Sequence, residues 1–438
     1  VAHMLEKRSG IEQFGLEPVP AHLRQTPWHD YFIIQFAFSV NAGNFLLPAL
    51  AVLQGGLSIT QAFFTTVCGA ALAFIFVSLL SLPGSLKGIP GQYALRSILG
   101  YQLSRNLASP VRTATSLYWF AVQTIGGSMI VMETIRTYTG FTPNSIIVSV
   151  LLSLLIVVTA AVGFQAVKKA AKFFLPFLLA GQVVTLYLYS TTISFKTLAN
   201  NAAESAAPFS TIMLYGSLVF VQYVSGVSAS ADMTRYAKTP VQGMAGIFAG
   251  NLAGFMMTAF LAVTSAAAFA EYNAFVAASL LTDHPLLSGG IFLCAILSMF
   301  SINLSNAYTG GFSLLNFIPS LGRIRSAAVF GAAAVLLSTM PSLVTSASAY
   351  ISFLGAFVIP LSGVIAADFL AVKKCRISEE DILNAKRINW PAGASIALGV
   401  ILYFSLPEAA SPGFLCFFIT SAFYILLHAA IEHRKKPS

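Results

Sequence analysis

The chain has 438 residues, 57% of them hydrophobic and only 9% charged, with a formal net charge of +9. An ordinary water-soluble domain is about a quarter charged, so water is excluded as the main solvent. Long, continuously apolar stretches also exclude a transmembrane barrel, whose strands alternate apolar and polar residues.

In chain order, residues 1–29 form a polar cytoplasmic segment without the charged-then-apolar pattern of a cleaved signal peptide, with Met4 as the expected natural start. Twelve apolar segments follow, each long enough to cross the bilayer as a helix. They are expected at about 30–53, 58–82, 112–138, 144–164, 173–194, 209–231, 242–269, 287–316, 326–341, 346–372, 391–406 and 412–431. Lys and Arg are retained in cytoplasmic loops. With both termini inside, every one of the 24 cations except Arg136 and Lys196 falls at a cytoplasmic connection, Arg112, Arg235 and Arg323 included. A basic chain can signal nucleic-acid binding, but these charges sit in short loops between spans and are read as topology signals. Cys68, Cys294, Cys375 and Cys416 are scattered, with neither disulfide-like nor metal-like spacing.

Polar and small residues inside apolar spans carry the functional information, because an unsatisfied group in hydrocarbon is costly. The first span contains Ser39-Val40-Asn41-Ala42-Gly43-Asn44 at mid-depth, followed by Pro48. The sixth contains Gln222-Tyr223-Val224-Ser225-Gly226-Val227-Ser228 at a similar depth. Gly, Pro and amide side chains favour a broken helix, and breaks at corresponding positions of two five-helix halves predict an inverted-repeat transporter with a midplane site. The competing reading is close helix packing by small residues. The expected division is 30–195 for the first repeat, 196–372 for the inverted second, 373–390 for a cytoplasmic loop, 391–431 for two additional helices and 432–438 for a cytoplasmic tail.

The third span places Trp119 and Gln123 four residues apart on one helical face, a flat stacking surface beside an amide. The eighth carries Ser298, Ser301, Asn303, Ser305 and Asn306, a density of hydroxyls and amides suited to a solute or an alkali cation. The acidic residues Glu133, Asp232 and Asp368 lie toward span ends. A site without fixed charge fits a neutral solute, although a half-helix N-terminus could also bind a carboxylate without any cationic side chain.

These pieces resemble the nucleobase/cation symporter family of cytosine, purine, allantoin and hydantoin permeases. The resemblance rests on Gly15 to Pro20 with Arg24 and Trp28, Gly84 to Pro90 with Arg96 and Gly100, Trp119 to Gln123, Ala231 to Lys238, and Pro360 to Asp368, in order along most of the chain. It implies an all-α membrane fold of two inverted five-helix repeats, like the leucine transporter, plus two C-terminal helices. It implies alternating access for a neutral nucleobase-like solute, with Trp119 and Tyr223 stacking on its two faces. Gln123, Gln222 and an eighth-span amide, Asn303 or Asn306, would meet its edge, near Phe38 and Asn41. A sodium site is implied at first-span carbonyls (Phe38, Asn41) with Ser298 and Ser301, weakened because Ile302 stands where sodium-coupled relatives have Thr.

No cofactor is expected beyond a coupling cation, Na+ or H+. For a proton, Glu133 and Asp232 are the candidate groups, with a helix-end anchor and a partner for Arg235 as their structural alternatives. The expected setting is a monomer in the plasma membrane, with the lipid bilayer and a small solute as partners and no nucleic acid. An amino-acid transporter on the same fold is the alternative. An intramembrane enzyme would need clustered His, Asp, Glu or Cys at depth, and His284 and His428 have no such company.

Overall fold

The computed structural model describes residues 12, 14–194, 196, 207–345 and 347–435. Residue 195, the expected end of the first repeat, and the terminal cations Lys7, Arg8 and Lys436 lie outside them. The described chain is helical, with one isolated parallel bridge between Thr26 and Ala237 as its β feature.

Among the described residues, nine helices are long and apolar enough to cross a membrane: Ile59–Lys87, Ser145–Val162, Phe164–Thr192, Phe209–Ser228, Pro240–Phe269, Pro285–Phe317, Pro319–Leu337, Phe353–Val372 and Pro412–His433. A tenth span is the pair Trp28–Ser39 and Gly43–Leu53, bent by 55°. Two more helices fall on expected segments. Ser109–Thr139 is 31 residues long and interrupted by polar side chains, and Trp390–Ser405 has 16 residues. Together these occupy the twelve expected positions in order. They are called the first to twelfth spans below.

Both expected interruptions are present. In the first span the helix stops at Ser39 and restarts at Gly43. Broken helix leaves carbonyls without partners, and the two asparagines supply them: Asn41 Nδ2 donates to Phe38 O at 2.8 Å and Asn44 Nδ2 to Ser39 O at 2.7 Å. In the sixth span, Phe209–Val224 tightens into a 3-10 turn over Ser225–Ser228, and a short helix, Ser230–Thr234, follows.

Packing sorts the spans into two main bodies. The seventh span lies against both halves of the first and against the second, and the second also packs on the sixth. The eighth packs on the third, fourth, fifth and ninth, and the fourth on the third and ninth. The tenth, eleventh and twelfth pack on one another. Contact between the first and seventh spans is close because the seventh presents glycine. A Cβ on Gly250 would lie 2.5 Å from Phe32 O.

Several cations expected only as topology signals are structural. Arg235 is fully buried, donating to Gly88 O (3.2 Å), Phe14 O (3.4 Å) and Glu17 O (2.9 Å), and its ion pair is with Glu12 at 3.8 Å. Glu12, and not the sequence neighbour Asp232, is therefore its carboxylate. Lys168 and Lys172 bind the buried Asp30 at 3.4 and 2.5 Å. Arg112, expected in a cytoplasmic connection, lies inside the third helix.

Candidate functional site

A cavity of about 190 Å³ lies where the two bodies meet, lined by the first, second, third, sixth, seventh and eighth spans. Both helix breaks reach it, through Asn41, Gly43 and Asn44 on one side and Gln222, Tyr223, Ser225 and Gly226 on the other. Phe38, Trp119, Gln123 and Asn306 also line it.

The amides facing this cavity are tied to the breaks. Gln123 Nε2 donates to Asn41 Oδ1 at 3.4 Å, and Gln222 Nε2 donates to Asn44 Oδ1 at 3.2 Å. Asn41 Oδ1 also accepts from the backbone N–H of Asn44 at 3.1 Å. Gly43 makes this possible, since a Cβ there would sit 2.5 Å from Gln123 Nε2. The amides are thus positioned by the broken backbone, and each keeps hydrogen-bonding capacity for a ligand edge.

Tyr223 is wedged between Phe74 and Phe255, with ring centroids 4.8 and 5.3 Å away. Its hydroxyl is buried without a partner. Trp119 is buttressed edge-on by Tyr118 at 5.4 Å. Each aromatic ring is fixed by other rings while lining the cavity, so little side-chain freedom is left to lose on stacking.

The two eighth-span asparagines take different places. Asn303 is fully buried and off the cavity, its Nδ2 donating to Phe120 O (3.1 Å) and Thr124 Oγ1 (3.0 Å). Asn306 lines the cavity and donates from Nδ2 to Asn303 Oδ1 at 3.1 Å. Asn303 therefore joins the third and eighth spans and holds Asn306 in place.

Around the expected cation position, Ser301 Oγ is buried with no hydrogen-bond partner, while Ser298 Oγ donates to Ala295 O at 2.7 Å. The Phe38 and Asn41 carbonyls each already accept a hydrogen bond, and Ile302 faces the cavity with no oxygen to offer. The set is short of free hard oxygens. Asp232 is fully buried but off the cavity. Its Oδ1 accepts from Gly91 N at 2.7 Å and its Oδ2 has no partner. The side chain of Glu133 is outside the described residues.

The sequence reading did not anticipate Arg112, Ser116, Asn251 and Thr309 among the lining residues. Arg112 and Ser116 were detectable in principle: they precede Trp119 by seven and three residues, on the face that Gln123 continues. Arg112 also corrects the expectation of a cavity without fixed charge.

Comparison with known proteins accords with this architecture. Residues 18–426 match the family model described as permease for cytosine/purines, uracil, thiamine, allantoin. The hydantoin permease of Microbacterium maritypicum is 23% identical over 397 residues, covering 86% of this chain and 80% of the relative. Among solved structures, Mhp1, a nucleobase-cation-symport-1 family transporter in a closed conformation with bromovinylhydantoin bound, superposes with a TM-score of 0.78 at 20% identity, covering 95% of this chain and 96% of that one. A Na+-coupled sialic acid symporter in a substrate-bound outward-open state gives 0.65 at 15% identity, covering 92% and 90%. The solved structures establish the expected transporter fold. With the family model covering nearly the whole chain, the protein belongs to the family of permeases for cytosine and purines, uracil, thiamine and allantoin.

Proposed function

We propose that this secondary transporter carries one flat heterocycle in the cavity between its two bodies, held by Trp119 and Tyr223 against its faces and by Gln123, Gln222 and Asn306 at its edge. The observation that carries the reading is the convergence of two ring-buttressed aromatics and three oriented amides on one cavity bounded by both helix breaks. Stacking supplies affinity with little regard to ring identity, while amides that can donate or accept select the edge. The hydantoin permease relative and the hydantoin-bound structural neighbour support a ring of nucleobase or hydantoin type. Alternating access then follows if the two bodies rock about the cavity, exposing it first on one side of the membrane and then on the other.

Coupling to a cation is part of the proposal. The buried, partnerless Ser301 hydroxyl supports an ion held by it with Ser298 and the Phe38 and Asn41 carbonyls. The engaged carbonyls and Ile302 favour low sodium affinity. A proton handled by Asp232 is the second reading, favoured by its buried Oδ2 without a partner. The chain is read as a plasma-membrane monomer with cytoplasmic termini.

Uptake into proteoliposomes tests this. Cytosine, uracil, adenine, hydantoin, allantoin and leucine are compared, with sodium replaced by choline and then with the pH gradient collapsed. Trp119→Ala is expected to weaken binding of the transported ring about ten- to hundredfold, the usual worth of one stacked aromatic. Unchanged affinity would remove Trp119 from the site, and uptake of leucine in preference to every ring would overturn the substrate class.

A further inference from the structure

Arg112 occupies the end of the cavity opposite Gln123 on the third span. Arg112, Ser116, Trp119 and Gln123 follow spacings of four, three and four residues, one face of a helix, and all line the cavity. A side chain near the start of this helix would ordinarily lean toward the helix N-terminus, away from Trp119, and an arginine near a span end ordinarily snorkels to water. Arg112 runs the other way. The neighbouring Thr113 Oγ1 meets Ser313 Oγ at 2.9 Å, which fixes the level of the third span against the eighth. Arg112 Nη2 donates instead to Thr309 Oγ1 at 3.2 Å, one helical turn, about 6 Å, farther toward Asn306 and the cavity centre.

Its remaining hydrogen-bonding capacity is unspent. A guanidinium has five N–H donors, and Nε of Arg112 is buried with no partner. Glu12 is engaged by Arg235 and Arg323 at 3.8 and 4.0 Å. Asp232 acts on Arg112 through its field, yet no ion pair among the described residues joins Arg112 to a carboxylate. A void of about 10 Å³ on its far side, lined by Ser225, Ser228 and Ser362, has room for at most one water. A water there satisfies a donor without balancing the charge.

We propose that Arg112 is an anion subsite of the transport cavity, so that the preferred cargo is a flat heterocycle bearing a negatively charged oxygen, as a ring carboxylate or an ionised ring edge. This rests on the heterocycle reading above and deepens it. The ring stacks at Trp119 while its acidic oxygen accepts charge-assisted hydrogen bonds from the guanidinium below. Such planar, bidentate recognition of oxygen pairs is what arginine does better than lysine.

The test is equilibrium binding to the purified full-length protein in lipid nanodiscs. Orotate (uracil-6-carboxylate) is compared with its equal-sized neutral amide and with uracil, and urate with hypoxanthine. The carboxylate and the ionised ring separate the two sources of charge. At least one anionic ligand is expected to bind about ten- to hundredfold more tightly than its neutral counterpart. That ratio should fall toward one in Arg112→Gln and recover in part in Arg112→Lys. If neutral rings bind and no anion exceeds its counterpart, the subsite is refuted and the heterocycle reading stands. If an anion preference survives Arg112→Gln, Arg112 is not the subsite. If no ring binds in either form, both readings fall. The wild-type ratio decides even if a variant does not fold.

Discussion

At the scale of single residues, the cavity shows how chemically similar side chains acquire different work. Asn303 and Asn306 are one turn apart on the same helix, and their spacing in the sequence cannot separate a ligand contact from a clamp. Packing separates them, because Asn303 spends both donors on the third span while Asn306 faces the cavity. Trp119 and Gln123 were legible as neighbours on one cavity-lining face because a spacing of four residues aligns them. Arg112 was not, because a cation at the start of a span satisfies the loop-charge rule equally well. In the proposed cation site, Ile302 is the position that supplies no side-chain oxygen. Ile302→Thr keeps a β-branched side chain and adds a hydroxyl at the position following Ser301, whose Oγ is orphaned. Substrate affinity in the variant should become severalfold more sensitive to sodium than in the wild type, read by titrating the ring in sodium and in choline. An equal response in both salts would mean that no cation is held there.

At the scale of elements, the helix breaks were readable from composition, since Ser39 to Asn44 and Ser225 to Ser228 join small residues to amides and hydroxyls where continuous helix is poorly supported. Their geometry was not readable. The 55° bend and the capping of Phe38 O and Ser39 O by Asn41 and Asn44 are three-dimensional, and the seventh span packs against both halves of the bent span. That packing is a close contact, and it makes a direct prediction. Gly250→Leu would drive a side chain into the Phe32 carbonyl, so the two helices must part, at a cost of about 1–3 kcal/mol for overpacking. A lowered melting temperature together with weaker ring binding is expected, because the seventh span packs on both halves of the span that carries Asn41 and Asn44. Gly289→Ala is the control, since nothing stands within 4 Å of a Cβ there. A Gly250→Leu protein as stable as this control would show that the first span does not depend on the contact.

At the scale of the whole molecule, the sequence predicts twelve spans and a site between halves, but not what fastens the two bodies together. Glu12 is one such fastening, beside the pairs of Asp30 with Lys168 and Lys172, and it comes from a segment whose polar composition gives no such sign. Its Oε1 accepts from Tyr236 Oη at 2.8 Å, just beyond the sixth span, and from Tyr308 Oη at 3.2 Å on the eighth. Its Oε2 accepts from Phe164 N at 3.0 Å, at the start of the fifth. Arg235 and Arg323, both buried, approach the same carboxylate from the two bodies, and Arg323 also lies 4.3 Å over the Phe312 ring. Arg235 retains three carbonyl partners if the carboxylate is neutralised, whereas Arg323 keeps only aromatic faces. Breaking a buried pair by removing one charge typically costs about 3–5 kcal/mol. Glu12→Gln should therefore lower the melting temperature and raise amide exchange around Phe164 and Tyr308, where the bodies meet. The ring site is not touched directly, so the affinity of a ring for the assembled cavity should fall less than in Trp119→Ala. If the two bodies rock as proposed, this fastening opens in each cycle, and the variant should exchange between cavity-exposed states faster than the wild type, measurable as faster ring counterflow. Wild-type exchange and unchanged counterflow in Glu12→Gln would mean that the bodies are held together elsewhere.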